Sequence, residues 1–197
     1  MKFISSFVIL ILSLSSAKII PPNDHQNWNV LQDDHIWVGW TDHSGFQWGK
    51  SRTTLPYSLQ NIASLLEDKG NYTEVFKRVT VSQVLEENVV YLVLDMPFPF
   101  SSRDYIVKYT QLNENGDHVY QFHSVNSNII SLNENNVRLL HAAGEWRLTP
   151  QKNNETIVTY TWNGELLGDF PDWALTRAWT TQGHEVLQWL EEALQKQ

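Results

Sequence analysis

The stretch that decides the fold is residues 89–109, which read VVYLVLDMPFPFSSRDYIVKY. A run of β-branched and apolar residues ends at Pro97 and Pro99, which cannot donate to a sheet ladder. A second run of aromatic and β-branched residues begins directly after Arg103 and Asp104. This pattern predicts a strand, a rigid corner and a second strand.

The second strand of this unit has two unlike faces. Tyr105, Val107 and Tyr109 share one face, whereas Lys108 and Thr110 lie on the other, because side chains alternate along a strand. We therefore predict half of a sheet whose aromatic face is covered and whose other face meets water.

More strands are predicted along the chain, most of them in hairpins. Apolar alternation separated by turn residues predicts strands at 36–41, 46–54, 79–86, 88–96, 105–112, 118–125, 137–148 and 156–162. Ser44 and Gly45 are predicted to form the first turn. A bulge is expected at Ala143 and Gly144.

Helices are predicted at three places. Asn23 and Asp24 are expected to cap a short helix that holds Trp28, and Ser58 to cap an amphipathic helix. A long helix begins at Pro171, and its apolar residues recur on one side to the end of the chain. Hairpin strands followed by a long terminal helix predict an antiparallel α+β fold.

The first 17 residues have the pattern of a signal peptide. Lys2 is followed by an apolar run and then by Ser15, Ser16 and Ala17, which form a small-residue cleavage site. The apolar run is shorter than the roughly 20 residues that span a bilayer. We expect cleavage after Ala17, a single domain over residues 18–197, and a protein that is exported, either periplasmic or secreted.

Composition excludes several classes of function. The chain has 14 Lys and Arg against 22 Asp and Glu, a formal charge of −8, and loss of Lys2 would make it more negative. Nucleic acid is therefore a poor partner. The chain has no cysteine, which excludes disulfides, thiolate metal ligands and cysteine nucleophiles and favours a bacterial envelope.

The corner at residues 97–105 resembles that of START domains, the family related to the steroidogenic acute regulatory protein. The resemblance continues in order through residues 144–150, 156–160 and 168–175, and so covers nearly the whole expected mature chain. It implies the helix-grip fold, in which a curved antiparallel sheet is closed by the terminal helix over an apolar tunnel. It also implies a lipid, sterol or similar apolar ligand, with transient membrane contact and no covalent chemistry.

The predicted inner face of the sheet is rich in aromatic residues, which either fill a core or line a cavity. Periodicity alone favours the filled core, and the resemblance to START domains implies the cavity. On that basis the ligand is expected to contact Arg103, Tyr105, Tyr120, Phe122, His141, Trp146, Tyr160, Trp162, Trp173 and Trp179.

Arg103 has two interpretations at this stage. It matches the arginine of the family's Arg-Asp corner, where it would meet the polar end of a ligand. A buried guanidinium also needs a partner, so an ion pair with Asp104, Asp95 or Glu86 is the structural alternative. The sequence leaves both open.

No metal or cofactor is expected. His118 and His123 are five residues apart on one strand and so face opposite ways, and the other histidines lack ligand spacing. The alternative functions are an enzyme similar to the polyketide cyclases, with Arg103, His141 or Tyr160 as its acid or base, and an envelope interaction module with a filled core. We expect a monomer.

Overall fold

The computed structural model describes residues 20–97, 100–127, 129–163 and 172–197, with only the backbone described at 172 and 173. The predicted signal peptide, two residues of the corner and the predicted helix start at Pro171 therefore lie outside the described residues.

The described residues form ten strands in one sheet. The strands are β1 (Asn29–Gln32), β2 (Trp37–His43), β3 (Phe46–Leu55), β4 (Val79–Glu86), β5 (Val89–Leu94), β6 (Ser102–Glu114), β7 (Asp117–Ser124), β8 (Asn136–Arg138), β9 (Ala143–Pro150) and β10 (Thr156–Asn163). Their order is β1-β2-β3-β10-β9-β7-β6-β5-β4, and every neighbouring pair on this path is antiparallel. The short β8 pairs in parallel with β6 at the start of that strand.

Within the described residues, three α-helices lie on one side of the sheet. They are α1 (Leu59–Glu67), α2 (Tyr72–Val75) and α3 (Asp172–Leu194), with short 3-10 turns at Lys69–Asn71 and Lys152–Asn154. The Ser58 hydroxyl accepts from the Asn61 backbone N–H at 3.2 Å, which confirms the predicted N-cap. The antiparallel α+β prediction is confirmed.

Two local predictions are wrong. The short helix expected around Trp28 is replaced by β1, because pairing with β2 satisfies its backbone while the Trp28 ring packs edge-on against Trp37. The single strand expected at 137–148 is two strands, since β8 pairs with β6 whereas β9 pairs with β7 and β10. Ala143 opens β9 rather than forming a bulge inside a longer strand.

The sheet has an inner face, covered by the helices, and an outer face on the opposite side. The main core lies on the inner face, where side chains such as Val90, Val107 and Leu148 pack with Leu187 and Leu190 of α3. A smaller apolar cluster around Tyr91, Val93 and Ile106 covers part of the outer face.

Helix α3 lies close against the sheet at Gly183. A Cβ atom built there would lie 3.0 Å from Trp162 Cη2 and 3.0 Å from Val38 Cγ1. The missing side chain therefore lets the middle of α3 rest on β10 and β2.

Candidate functional site

A cavity of about 820 Å³ separates the inner face of the sheet from α2 and α3. Its walls are mostly apolar and include Leu92 and Leu94 of β5, Phe76 after α2, and Ala178, Val186 and Trp189 of α3. Its size lies within the range of about 300 to 1,000 Å³ that is usual for pockets holding small molecules.

The floor of the cavity is a row of aromatic rings that crosses four strands, in which Phe122, Tyr160 and Trp146 are stacked and Tyr109 is tilted by 43° to Phe122. Ring centroids lie 5.7 Å apart for Tyr109 and Phe122, 6.3 Å for Phe122 and Tyr160, and 4.3 Å for Tyr160 and Trp146. Gly144 makes room for the row, because a Cβ there would lie 2.4 Å from the Phe122 ring. The row gives a ligand a broad, rigid and apolar surface.

Tyrosine hydroxyls supply the polar groups of this floor. Burial, and a hydrogen bond that Tyr109 makes with Tyr72, raise the pKa of Tyr109, and burial raises the pKa of Tyr105 and of Tyr160. The Tyr72 hydroxyl in turn donates to the Leu66 carbonyl at 2.6 Å. Within the described part of the chain, the Tyr105 hydroxyl has no hydrogen-bond partner, so it can offer a hydrogen bond to a ligand.

An ion pair between the chain before β4 and α3 forms part of the cavity wall. Arg78 donates to the two carboxylate oxygens of Glu185, at 2.7 Å through Nε and at 3.0 Å through Nη2. Lys77 contacts Glu192 at 2.7 Å, about two helical turns further along α3. Among the described residues, the charged ones that line the cavity are Arg78, Arg177 and Glu185, and the last two lie on α3.

The sequence of this cavity-forming region matches a known family. The START domain model matches residues 53–197. This chain belongs to the START domain family. The match begins inside β3, so the segment before residue 53 lies outside it.

Solved structures share the fold of this START domain at low sequence identity. A STAR-related lipid transfer protein fragment from Xanthomonas axonopodis is 21% identical with a TM-score of 0.76, covering 86% of this chain and 99% of that chain. Human StAR-related lipid transfer protein 5 is 13% identical with a TM-score of 0.75, covering 88% and 89%. The Zhui aromatase/cyclase from Streptomyces sp. R1128 is 17% identical with a TM-score of 0.52, covering 76% and 93%. The predicted helix-grip fold, with a curved sheet and a terminal helix, is confirmed.

Four of the ten predicted ligand contacts line the cavity of this START domain. They are Tyr105, Phe122, Trp146 and Tyr160, one from each strand of the aromatic floor. Their role in ligand binding stays a prediction, and the geometry brings them together as the sequence analysis expected.

Arg103 and Tyr120 are buried near the cavity but are not among its lining residues. Arg103 Nη1 donates to the Ser101 carbonyl, and burial lowers the pKa of the guanidinium. The Tyr120 hydroxyl donates to Glu67 Oε1 at 2.7 Å, under α1.

Asp104, which follows Arg103, belongs to the outer face. Its carboxylate accepts from Arg138 Nε at 2.7 Å, from Arg138 Nη2 at 2.9 Å and from the Tyr91 hydroxyl at 3.0 Å. The Arg103 side chain points to the opposite face, so Asp104 is not the partner that the sequence analysis considered.

Two of the predicted tryptophan contacts, Trp162 and Trp179, are not among the lining residues of the cavity. Trp162 is stacked on Tyr160 at 4.9 Å and packs under Gly183, and Trp179 contacts Trp40 of β2 at 5.1 Å. Both are buried between α3 and the sheet. The side chain of Trp173 lies outside the described residues.

His141 is exposed, between β8 and β9, with its ring 6.3 Å from that of Phe46. Sequence reasoning missed lining residues such as Phe76, Arg78, Gln182, Glu185 and Trp189. The helical period of α3 shows which residues share a side, but it does not show which of them meet the cavity rather than the sheet.

Two further features are absent from the described residues. No helix among them is long and apolar enough to cross a bilayer. No group of three or more His, Asp or Glu side chains within these ranges is close enough together to hold a metal ion.

Proposed function

We propose that this START domain binds one lipid-like apolar molecule in the cavity beneath α3 and sequesters or transfers it outside the cytoplasm. It acts as a monomer that contacts membranes transiently, without covalent chemistry. The observation that carries this proposal is the cavity itself, about 820 Å³ of mainly apolar space over a floor of stacked rings.

The lining favours an amphiphile with a small polar group. Removing apolar surface from water contributes about 25 cal/mol per Å² to the free energy of binding. Walls of leucine, valine and aromatic residues therefore favour a ligand with a long or ring-shaped apolar body. The Tyr105 hydroxyl offers one hydrogen bond within this surface. Gln182 makes a hydrogen bond with Tyr160 and adds an amide at the face of α3.

Catalysis of the cyclase type has weaker support. A general base needs a pKa near the working pH and a position beside the substrate. Burial raises the pKa of Tyr160 and so keeps its hydroxyl protonated, whereas His141 is exposed away from the cavity. Arg103 is not among the described lining residues, and a guanidinium is a poor base.

Export is the part of the proposal that rests on sequence alone. The basic residue, apolar run and small-residue site in residues 1–17 favour cleavage after Ala17. Intact mass of the exported protein should correspond to a chain that begins at Lys18. A mass that retains residues 1–17 would contradict this.

Native mass spectrometry followed by organic extraction tests the binding function. We expect the wild-type protein to carry one extractable apolar molecule per chain. Ala178→Phe places a ring into the cavity and should remove that molecule or reduce its occupancy at least about tenfold, since overpacking costs typically 1 to 3 kcal/mol.

Thr176→Phe is the matched control, because it places the same ring on an exposed position of the same helix. It should retain wild-type occupancy. If the wild-type protein is bare and takes up no fluorescent lipid, or if both variants bind equally, the proposal fails.

A further inference from the structure

A second pocket, of about 290 Å³, lies on the outer face of the sheet, away from the ligand cavity. We call it the outer pocket and define it by Trp28, Trp37, Lys50 and Arg52. Asn23, His25 and Thr159 are further polar residues of its lining. All of these except Thr159 precede residue 53, where the family match begins, so the outer pocket is built mainly from the segment that the family model does not cover.

The two tryptophans form the walls of the outer pocket and hold its two cations. Their rings meet edge-to-face with centroids 6.4 Å apart. Lys50 Nζ lies 4.5 Å from the ring centroid of Trp28, and the Arg52 guanidinium carbon lies 5.7 Å from that of Trp37. Such cation–π contacts restrict the position of each charge without neutralising it.

The charge of the outer pocket is positive in an acidic protein. Lys50 and Arg52 are neighbours on one face of β3, and no carboxylate lines the pocket or forms an ion pair with either side chain in the described ranges. Arg147, further along the same face, contacts Glu114, Asp117 and Glu145 at 2.7 to 3.0 Å. Carboxylates on the outer face therefore neutralise Arg138 and Arg147, whereas the adjacent cations Lys50 and Arg52 are left for another partner.

Burial makes this arrangement costly for the protein. The pKa of Lys50 is lowered to about 8, chiefly by burial, which the charge of Glu145 opposes and the charges of Arg52 and Arg147 reinforce. A bound anion would offset that cost, since an opposite charge within about 4 to 6 Å favours the charged form of a lysine.

We propose that the outer pocket binds a phosphate monoester. Two neighbouring cations suit an anion that carries about −1.5 to −2 charges at pH 7, whereas a carboxylate carries only one. Arginine donates in a planar fork that matches phosphate, and lysine adds a point charge. At roughly 30 Å³ per water, the volume corresponds to about ten water molecules, which is the size of a phosphate on a short polyol.

The ester can come from a free solute or from a lipid headgroup. Both sources present the same phosphate chemistry, and the pocket is open to solvent from the outer face. The site does not depend on the cavity function, because the sheet separates the two pockets.

NMR of protein labelled with ¹⁵N at the tryptophan indoles tests the site, with glycerol 1-phosphate as the probe. We expect saturable shifts of the Trp28 and Trp37 resonances and none of Trp146, which lies in the cavity floor. Glycerol alone should give no saturable shift. Vesicles of phosphatidic acid in phosphatidylcholine should shift the same resonances if the headgroup of a lipid reaches the site, and should leave them unchanged if only a free solute does.

The double variant Lys50→Met and Arg52→Gln should weaken the apparent affinity at least about tenfold, because it keeps the aliphatic stems and removes both charges. Lys108→Met is the matched control on the outer face and should bind as the wild type does. An unchanged Trp146 resonance shows that each variant is folded. Absence of a saturable shift, a shift that survives in the double variant, or an equal response to glycerol overturns the proposal.

Discussion

Gly183 of α3 lies directly over the ring of Trp162, so that a Cβ on the glycine would be 3.0 Å from Trp162 Cη2. This contact fixes the distance between the helix and the sheet at one point. The cavity lies alongside it, where α3 presents Ala178, Gln182 and Val186.

Replacing Gly183 by leucine should lift the helix and lower the free energy of unfolding by roughly 1 to 3 kcal/mol, the usual cost of overpacking a core. Alanine should be nearly neutral, because its gain of about 1 kcal/mol in helix propensity offsets a tight contact. Urea denaturation measures both. Thr176→Leu, on an exposed position of the same helix, is the control, and equal midpoints for Gly183→Leu and this control would contradict the close approach.

Arg138→Leu should cost roughly 3 to 5 kcal/mol at pH 7, because it leaves the carboxylate of Asp104 buried with no cation. Arg52→Leu should cost less than about 1 kcal/mol, since its guanidinium is exposed. Denaturant midpoints measure the loss of free energy of unfolding in each variant. A similar loss in the two variants would mean that the ion pair between Arg138 and Asp104 is not buried.

The effect of Arg138→Leu should also depend on pH. Burial alone would raise the pKa of Asp104, but hydrogen bonds from Arg138 and Tyr91 outweigh it and hold the pKa below its usual value of 3.8. A lowered folded-state pKa gives stability that is present above 3.8 and is lost as the pH falls further. Without Arg138 the buried carboxyl is protonated at a higher pH than in the wild type, so the difference in free energy of unfolding between wild type and variant should narrow as the pH falls from above 3.8 to below it.

Lys50→Met should raise the free energy of unfolding at pH 7 by roughly 1 to 3 kcal/mol, because it removes the burial of a charge. The folded-state pKa of about 8 lies below the ordinary 10.5, so between these values the unfolded chain binds more protons and wild-type stability rises with pH. Glu145, Arg52 and Arg147 are the charges that face Lys50 and are unchanged in the variant. The variant's excess in free energy of unfolding over the wild type should shrink from pH 8 to 10. An excess that stays constant over this range would mean that the pKa of Lys50 is not lowered.

Glu185→Gln removes the ion pair that joins α3 to Arg78 at the cavity wall. Both side chains are partly exposed, so stability should fall by less than about 1 kcal/mol. If the proposed ligand enters by movement of α3, stopped-flow release of a fluorescent lipid should become severalfold faster while its affinity changes little. Glu74→Gln, on an exposed acidic residue of α2, is the control, and identical release rates would mean that entry does not involve this contact.

The sequence predicts this fold well where the signal is local. The turn at Ser44 and Gly45 has positive φ at both residues, and the Ser58 cap and the aromatic alternation of β6 all follow from neighbouring residues. The prediction of a helix at Trp28 was wrong because β1 pairs with β2, and the propensities of single residues carry no information on that pairing.

Of the candidate site, only the residues of the cavity floor could be predicted from the sequence. Alternation correctly grouped Tyr105, Phe122, Trp146 and Tyr160, because one period governs the whole sheet. Trp179 and Trp189 share a broad stripe on α3, yet one meets Trp40 and the other lines the cavity, since the rotation of the helix depends on a contact at Gly183. Likewise the partner of Asp104 is Arg138, which reaches it through the separate parallel pairing of β8.

The pairing of β3 with β10 joins two parts of the sheet, and it forms late in folding. Trp48 and Asn163 are partners in this register, although on the order of 100 residues separate them. Contacts so distant in the chain are slow to form, because the loop between them must close before any of their energy is gained. A ribosome must therefore finish nearly the whole chain before the two halves of the sheet can join, so a chain that is still being synthesised holds its first three strands apart from the rest of the sheet.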